Sequence, residues 1–566
     1  MKEGKYYGAH LHMHSCFEGT ASMEGHMYEA QRIGVDVIWF TDHDSRMGIR
    51  INSIREFDFE KETLLIKENP EKPGVFHGWI SNETGEQAKG NISLTREFSY
   101  TGMQCMKICA ESSEESSKWQ RKAVYFTSNG KRHQWSLLSI VRLKIACLIK
   151  GLCKDTRIIF KVKLSQRPPD HQFAAIKYVI GESEGLEDKN SKVIPLKTVE
   201  GSWCELTFNL TKDAENSPEI GGLDNVFDSI EIIVETRNGK SITCFFDDFQ
   251  IQNELLYEDV RVRQKALAER LGAKYGVLPI VATEISNAGM HKNCFSTNVP
   301  IINYMKRNYS VTHDEAIQWV LQHNGTFSYN HPFVKWNRLS LTDEEKESIV
   351  KDLVEEFTLK KCDGASMIEI GFPVGRYGFS LENHLELWDG LSANGIFITG
   401  HGVSDNHAND TNWYDGNNFV AWIYSDELNE ESLIKSMKSG NVYTGDPVQF
   451  KGELIFETKE GYCMGQVVKI SKPKYKISLK INKMKPGWTI NWIVNGENNR
   501  SILVDEDILE DSIKIEPKNN VNFVRVEVYN ESNRCILLTN PIYFVTDDNI
   551  PDERRVTHGT LLAAER

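Results

Sequence analysis

The sequence predicts an α/β protein in which a discontinuous β/α domain surrounds an inserted β-sandwich, with a smaller β-sandwich at the end. Three observations predict this order. Strand-like and helical segments alternate up to about residue 55 and again after residue 254. Short aromatic and β-branched runs between polar turns fill the stretch between them, and alternating strand patterns return after Pro447. Alternating segments are typical of parallel sheets with crossover helices, whereas evenly spaced short strands are typical of sandwiches.

The β/α domain is predicted to comprise 1–55 and 255–446. Side chains that alternate with period two, or that form short buried runs, predict its strands, and helical periodicity predicts its helices. The predicted strands are Tyr6–His14, Val35–Thr41, Leu278–Ile285, Thr326–Asn330, Ser366–Gly371 and Ile396–Gly400. The predicted helices are Ser22–Ile33, Val260–Tyr275, His313–Asn324 and Leu381–Asn394.

The two remaining domains are predicted to be all-β. The inserted sandwich spans 56–254, with a jelly-roll arrangement as the expected type. Its clearest strands are Ala123–Thr127, Arg157–Leu164, Trp203–Leu210, Ser229–Glu235 and Thr243–Gln250. The C-terminal sandwich spans 447–547, with strands Ile477–Ile481, Thr489–Val494 and Phe523–Tyr529, and 548–566 form a tail.

Composition narrows the function. A formal net charge of −14 argues against a protein that coats nucleic acid. The sequence contains no uninterrupted apolar run of about twenty residues, so no membrane span is expected. The N-terminal residues lack an apolar signal core, so a cytoplasmic location is expected unless a signal was trimmed before this numbering begins. The eleven cysteines are scattered, which favours reduced, mostly structural thiols. We expect a small-molecule substrate, with no nucleic-acid or membrane partner.

The strongest local signal is the run His10-Leu11-His12-Met13-His14. Side chains two positions apart on a strand share a face, so these imidazoles are expected to converge. A surface histidine patch is the alternative interpretation. The run ends a strand that is expected to be buried, which favours a metal site.

Four further clusters of polar side chains follow predicted strands. They are Thr41-Asp42-His43-Asp44; Thr283-Glu284 with His291; Asn330-His331-Pro332; and His401 with Ser404-Asp405-Asn406-His407. Each cluster taken alone is as typical of a capped strand as of a ligand. Active sites form at the carboxyl ends of parallel strands, so the recurrence of such clusters predicts one shared site.

In their order along the chain these motifs resemble those of the polymerase-and-histidinol-phosphatase (PHP) family of metallohydrolases. His12 and His14 match the family's His-x-His, and His43 matches its Thr-Asp-His-Asp motif. The segment Phe419–Gly445 is similar to the closing segment of a carbaryl-hydrolase-like branch. The resemblance implies a distorted seven-stranded β/α barrel that carries two or three divalent ions of Zn, Mn or Fe.

The resemblance also implies how the ligands are shared among three ions. The first ion takes His12, His14, Glu284 and Asp405; the second Glu284, His291 and His331; the third Glu18, His43 and His407. Asp42, Asp44, His401 and also His10 are expected to orient ligands or move protons as neighbouring catalytic groups.

The function expected from these residues is hydrolysis by a metal-bound hydroxide, with a phosphoester as the first expectation for the substrate. A carboxylic ester, carbamate or amide is the alternative bond. A non-catalytic binding or scaffold protein with structural metals is the alternative of another class. Trp119, Trp135 and Trp203 offer a possible carbohydrate-stacking platform in the inserted domain, although core packing is the more ordinary role for tryptophan.

Overall fold

The computed structural model describes most of the chain as well-defined strands and helices. The described residues are 4–17, 22–43, 53–57, 59, 79–127, 135–254, 257–286, 291–296, 313–323, 325–337, 339–371, 375–407, 420–546 and 561–562. The predicted tail at 548–566 falls almost entirely outside these ranges.

The first segment is a strand–helix–strand unit. It consists of β1 (Lys5–Met13), α1 (Met23–Ile33) and β2 (Val37–Phe40). β1 and β2 are parallel, with Ala9 opposite Val37. The hydroxyl of Ser22 caps the first turn of α1, and Gly34 ends the helix in the left-handed conformation at φ 82°.

The middle of the chain folds as a β-sandwich of two six-stranded sheets. The elements are β3 (Ser53–Phe57), β4 (Trp79–Ser81), β5 (Ile92–Thr95), β6 (Cys105–Glu111), β7 (Gln120–Thr127), β8 (Ile140–Lys150), β9 (Thr156–Arg167), β10 (Gln172–Gly181), β11 (Ser191–Leu196), β12 (Cys204–Asn209), α2 (Leu210–Glu215), β13 (Ser229–Thr236) and β14 (Ser241–Glu254). One sheet has the order β11-β10-β9-β13-β7-β4, and the other has β12-β8-β14-β6-β5 with β3 beside β14. Alternate side chains such as Phe160 and Ile232 fill the core between the sheets.

After the sandwich the chain returns to mixed strands and helices. The elements are α3 (Tyr257–Tyr275), β15 (Leu278–Val281), β16 (Thr283–Ile285), β17 (Lys292–Phe295), α4 (His313–Gln322), β18 (Thr326–Tyr329), α5 (Asp343–Leu359), β19 (Met367–Glu369), α6 (Leu381–Ala393), β20 (Thr399–His401), β21 (Val420–Ser425), α7 (Glu430–Ser439) and β22 (Val442–Gly445). The strands β16-β17-β18-β19-β20 form a five-stranded sheet in that order.

The C-terminal strands continue a sheet that begins at the N-terminus. They are β23 (Leu454–Thr458), β24 (Val467–Lys469), β25 (Tyr475–Ile481), β26 (Thr489–Val494), β27 (Glu497–Leu503), β28 (Leu509–Ile515), β29 (Val521–Tyr529), β30 (Cys535–Thr539), β31 (Ile542–Val545) and β32 (Leu561–Leu562). A twelve-stranded sheet has the order β15-β2-β1-β21-β22-β30-β29-β31-β24-β32, with β26 and β27 added at β29. A three-stranded sheet, β23-β25-β28, completes this part.

The expectation of a seven-stranded β/α barrel is wrong. The protein is mostly β-sheet, and the described strands assigned to the barrel divide between the twelve-stranded and the five-stranded sheets. The expected strand Leu278–Ile285 is broken at Ala282, so β15 pairs with β2 whereas β16 pairs with β17. β17 is antiparallel to both neighbours, and β21 is antiparallel to β1. A β/α barrel closes through parallel strands that are joined by crossover helices. The antiparallel pairs found here do not follow that pattern.

A carboxylate of the sandwich holds the N-terminus of α1. Asp224 Oδ1 accepts from the backbone N–H of Met23 at 2.7 Å, and its Oδ2 accepts from that of Glu24 at 2.9 Å. Arg167 Nη1 lies 3.0 Å from the same carboxylate. A negative charge at the first turn of a helix satisfies free N–H groups and matches the helix dipole. This contact fixes the sandwich against α1. The domain boundaries expected from the sequence stay predictions.

Candidate metal centre

The candidate site lies where the twelve-stranded and the five-stranded sheets meet. Isolated backbone bridges join Met13 of β1 to Asn406, which follows β20, and Glu284 of β16 to His43, which follows β2. His12 and His14 are at the end of β1, and Glu284 is in β16. The meeting of the two sheets therefore gathers side chains from distant parts of the chain.

Of the three histidines His10, His12 and His14 that were expected to converge, His12 and His14 point into this junction. His12 Nε2 and His14 Nε2 are 3.2 Å apart, and Asp405 Oδ1 lies 3.3 Å from the first and 2.9 Å from the second. His407 stacks on the ring of His14 at 3.7 Å between centroids. The nitrogens and this oxygen thus converge on one small volume.

Glu284 is the centre of the second part of the site. Its Oε2 lies 2.5 Å from Nδ1 of His43, and its Oε1 lies 3.0 Å from Nδ1 of His291 and 3.3 Å from Nε2 of His331. His12 Nε2 is 3.5 Å from the same Oε1. One fully buried carboxylate therefore contacts imidazoles from four segments of the chain.

Three overlapping groups of side chains have the spacing of cation ligands. They are His14 with His43 and His407; His12 with His14 and Asp405; and His43 with Glu284 and His291. Within each group the donor atoms lie within 4.8 Å of one another. Facing acceptor atoms of this kind repel unless a proton or a cation lies between them, and imidazole with carboxylate suits Zn, Mn or Fe. The residues present fit a site for divalent ions.

The charges of the site are strongly coupled. Burial disfavours a charged His12, but the carboxylates of Asp405 and Glu284 outweigh it and raise its pKa to about 10. Burial likewise disfavours ionised Glu284, yet His43 and His12 hold the pKa of this carboxyl well below its usual range. The pKa of Asp405 is held low in the same way by His12 and Arg376, against the effect of burial. The carboxylates are therefore ionised and ready to accept cations.

Part of the candidate site reaches the surface of the described structure. The side chains of His407 and His291 are 38% and 29% exposed, whereas those of His12, His14 and Glu284 are fully buried. Among the described residues, these two histidines are therefore the candidate ligands with the greatest exposure to solvent.

Asp42 and His401, two other residues expected at the site, form hydrogen bonds with neighbouring residues. The carboxylate of Asp42 accepts from the backbone N–H of Ser15 at 2.7 Å and from Gln264 Nε2 at 2.5 Å. His401 Nε2 lies 2.6 Å from the hydroxyl of Ser328, and burial lowers its pKa to about 4. Both contacts anchor the strand ends beside the ligands. Glu18 and Asp44 lie outside the described residues, and the ligand roles stay predictions.

Sequence reasoning missed Glu369 and Arg376, and it gave Asn330 no separate role within its cluster. Glu369 Oε1 is 2.6 Å from Nδ1 of His12, and Arg376 Nη2 is 2.7 Å from Asp405 Oδ2. Asn330 Nδ2 donates to Glu284 Oε1 at 2.9 Å. Polar residues at the end of a strand are the signal that identified the other clusters, but Glu369 lies inside the expected strand Ser366–Gly371 and ends only the observed β19. A lone carboxylate in the apolar run Met367-Ile368-Glu369-Ile370 gives that signal only faintly.

The three tryptophans do not form a single platform. Trp135 is buried in the sandwich core against Phe227. Trp119 lies between the guanidinium groups of Arg157 and Arg237, 4.1 Å and 4.4 Å from its ring centroid. Trp203 is partly exposed, and its ring lies 5.7 Å from that of Tyr100, which is 41% exposed. Tyr100 and Trp203 thus form an accessible aromatic pair on the sandwich.

Comparison with solved structures finds β-sandwich carbohydrate-binding modules. A family 11 carbohydrate-binding module from Clostridium thermocellum, in complex with a β-1,3-1,4-mixed-linked tetrasaccharide, is 13% identical and has a TM-score of 0.22. The match covers 36% of this chain and 98% of that one. A second neighbour is a carbohydrate-binding module of the β-sandwich superfamily, described as promiscuous in specificity. It is 14% identical with a TM-score of 0.20, and the match covers 31% of this chain and 57% of that one.

A glycoside hydrolase domain, Endo-D from Streptococcus pneumoniae, is 14% identical with a TM-score of 0.19. The match covers 31% of this chain and 21% of that one. No protein-family model and no curated protein matches this chain. Among the described strands, the sheet orders form no closed barrel, so the expectation of a PHP-domain phosphoesterase built on a β/α barrel is corrected.

Two general findings complete the description. None of the described helices combines the length and the apolarity needed to cross a bilayer. All eleven cysteines are free thiols.

Proposed function

We propose that the protein is a metal-dependent hydrolase whose divalent ions are bound at the junction of the two sheets. The observation that carries the proposal is the convergence of His43, His291, His331 and His12 on the buried carboxylate of Glu284. This carboxylate and the imidazoles around it would hold divalent ions, which would supply Lewis acidity at this position.

The other residues of the site would hold the ions and border the substrate position. Bound divalent ions supply Lewis acidity that activates water and polarises a scissile bond. His12, His14 and Asp405 hold one side of the site, while Glu284 and the histidines around it hold the other. The partly exposed His407 and His291 border the side from which a small molecule would enter. A small-molecule carboxylic ester, carbamate or amide is the substrate class that we propose.

Turnover by the reconstituted protein tests this proposal. Purified full-length protein, loaded with Mn²⁺ or Zn²⁺, is assayed with aryl esters, aryl carbamates and anilides, with aryl phosphates as a comparison. We expect metal-dependent turnover that Glu284→Gln abolishes. Glu356→Gln, at a partly exposed carboxylate of α5 that is paired with Lys360 and belongs to none of the ligand groups, is the matched control and should keep full activity. Metal-loaded protein without turnover on any substrate would favour the second candidate.

The second candidate is a carbohydrate-binding protein whose metal ions are structural, and the aromatic pair on the sandwich favours it. Tyr100 and Trp203 lie side by side, and the hydroxyl of Tyr100 donates to Glu205 Oε2 at 3.5 Å. Aromatic faces beside polar groups are suited to stacking against sugar rings. The family 11 module described in complex with a mixed-linked tetrasaccharide suggests which oligosaccharides to test first.

Calorimetric titration with soluble β-glucan and xylan oligosaccharides tests this candidate. Binding should be weakened at least tenfold by Trp203→Ala or Tyr100→Ala. Trp119→Ala is the matched control, because this tryptophan also lies on the sandwich but its ring packs against the guanidinium groups of Arg157 and Arg237. Equal affinity of all three variants, or no binding by the wild-type protein, would contradict carbohydrate recognition at this pair.

A further inference from the structure

Glu369, at the end of β19, uses both oxygens of its buried carboxylate on candidate ligands of other strands. Its side chain is 4% exposed. Oε1 lies 2.6 Å from Nδ1 of His12, and Oε2 accepts from the backbone N–H of His331 at 2.7 Å. An ionised carboxylate offers only acceptors, so His12 must donate through Nδ1–H. That arrangement leaves Nε2 of His12 as the atom that would bind a metal ion in place of its proton.

Nε2 of His12 points to the proposed metal position. His12 Nε2 lies 3.2 Å from His14 Nε2 and 3.3 Å from Asp405 Oδ1. Histidines that bind metals are commonly held in one tautomer by a hydrogen bond at the other ring nitrogen. Glu369 is placed to fix both the tautomer and the ring orientation of His12.

Arg376 connects Glu369 to a third candidate ligand. Its Nη2 is 2.7 Å from Asp405 Oδ2, and its Nη1 is 3.7 Å from Glu369 Oε2. The arginine side chain is 15% exposed. Because Arg376 engages Oδ2, the Oδ1 atom of Asp405 is directed to His12 and His14.

The backbone gives independent evidence that this network holds a strained geometry. His331 has φ 33° and Asp405 has φ 53°, both in the left-handed region that residues other than glycine rarely adopt. Such conformations are strained and persist only where surrounding contacts fix them. Glu369 binds the backbone of His331 and Arg376 binds the side chain of Asp405. Contacts of this network therefore hold both residues in place.

We propose that Glu369, paired with Arg376, is a positioning residue that orients His12, His331 and Asp405 for metal binding. This inference rests on the proposed metal centre. Glu369 itself is not assigned as a ligand. It acts through the three residues that it and Arg376 contact, so its removal lowers metal affinity and leaves the fold in place.

Metal affinity of the full-length protein tests the proposal. Metal-free wild-type protein, Glu369→Gln and the control Glu356→Gln are titrated with Zn²⁺ in competition with a chromophoric chelator. Loss of an outer-sphere partner typically weakens binding about 10–100-fold, and we expect a Kd increase of that size for Glu369→Gln. The control should bind within about twofold of wild type. Visible absorption bands of the Co²⁺-loaded proteins should shift for Glu369→Gln and stay unchanged for the control.

Each outcome has a distinct meaning. Wild-type affinity and an unshifted Co²⁺ spectrum for a folded Glu369→Gln would overturn the positioning role while leaving the metal centre intact. A wild-type protein that binds no Zn²⁺ or Co²⁺ would overturn the proposed function itself. If Glu369→Gln does not fold, Glu369→Asp keeps the charge beside Arg376 but withdraws it from His12. A partial loss of affinity in Glu369→Asp supports the proposal, and no loss overturns it.

Discussion

Glu284 and His43 are joined twice, through the main chain and through their side chains. An isolated parallel bridge pairs the two residues across the sheets, and Oε2 of Glu284 lies 2.5 Å from Nδ1 of His43. The backbone N–H of Glu284 also donates to the carbonyl of Asp42 at 3.1 Å. Strand pairing therefore fixes the position of the central carboxylate, which gives a rigid support to the proposed metal centre.

Replacing Glu284 with glutamine should remove one of the bound ions and nearly all turnover. The substitution keeps the shape of the side chain and removes the negative charge that lies among the histidines. Loss of a bridging charge should affect activity more than loss of any single histidine ligand, whose position a water can fill. Elemental analysis and turnover measurements check this. Full metal content with near-normal turnover in Glu284→Gln would show that the site is misassigned.

The contact between Asp224 and α1 should contribute strongly to stability. Asp224→Ala removes the acceptor for the N–H groups of Met23 and Glu24 and leaves the buried Arg167 with only the carboxylate of Glu24, at 3.3 Å. We expect a loss of about 2–4 kcal/mol in the free energy of unfolding, measured by urea denaturation. Asp188→Ala, at an exposed carboxylate paired with Lys177, is the control and should cost less than about 1 kcal/mol. Equal losses for both variants would contradict this account.

Arg525 should couple the C-terminal strands to α6. Its Nε and Nη2 lie 3.0 Å and 2.7 Å from the two oxygens of Asp389, and its Nη1 pairs with Glu527. Arg525→Met leaves two carboxylates without their cation, so the free energy of unfolding should fall by about 3–5 kcal/mol. Arg500→Met, at a more exposed pair with Asp511, provides the comparison and should change little. Similar melting temperatures for the two variants would argue against the coupling.

His384 should make stability depend on pH. Its ring is buried on α6 against Phe333, and burial lowers its pKa to about 4. The unfolded chain has the ordinary value of about 6.5, so between these values the unfolded state binds more protons and stability rises with pH. The contribution is complete above about pH 6.5 and is lost as the pH falls toward 4.

The variant His384→Gln, which keeps a donor but does not titrate, tests this dependence. Its free energy of unfolding should fall by about 2 kcal/mol less than that of wild type between pH 7 and pH 5. Urea denaturation at both pH values measures the difference. Parallel losses in the two proteins would show that His384 does not carry this dependence.

Local periodicity predicted much of the secondary structure, and pairing between distant strands explains where it failed. The strand over the histidine run and the strand Thr489–Val494 were visible because alternating or buried side chains mark them. The break at Ala282 was not visible, because residues on both sides of it are apolar or β-branched. It arises from tertiary pairing, since β15 extends the sheet of β2 while β16 joins β17.

The candidate site was predictable where side chains cluster in sequence and not where they meet only in space. His12 and His14 share a strand face, so their convergence follows from local geometry. Glu369 and Arg376 reach the ligands His12 and Asp405 through contacts across the fold that no spacing along the chain indicates. The same holds for Asp224, whose role at the start of α1 depends on docking of the sandwich.

Metal stoichiometry tests the central claim most directly. Full-length protein is stripped with a chelator, reconstituted with Zn²⁺ or Mn²⁺, freed of excess ion and analysed for its elements. The three overlapping ligand groups around His14, His43 and Glu284 predict two or three equivalents per chain. Less than one equivalent after reconstitution would contradict a metal centre at the junction of the two sheets.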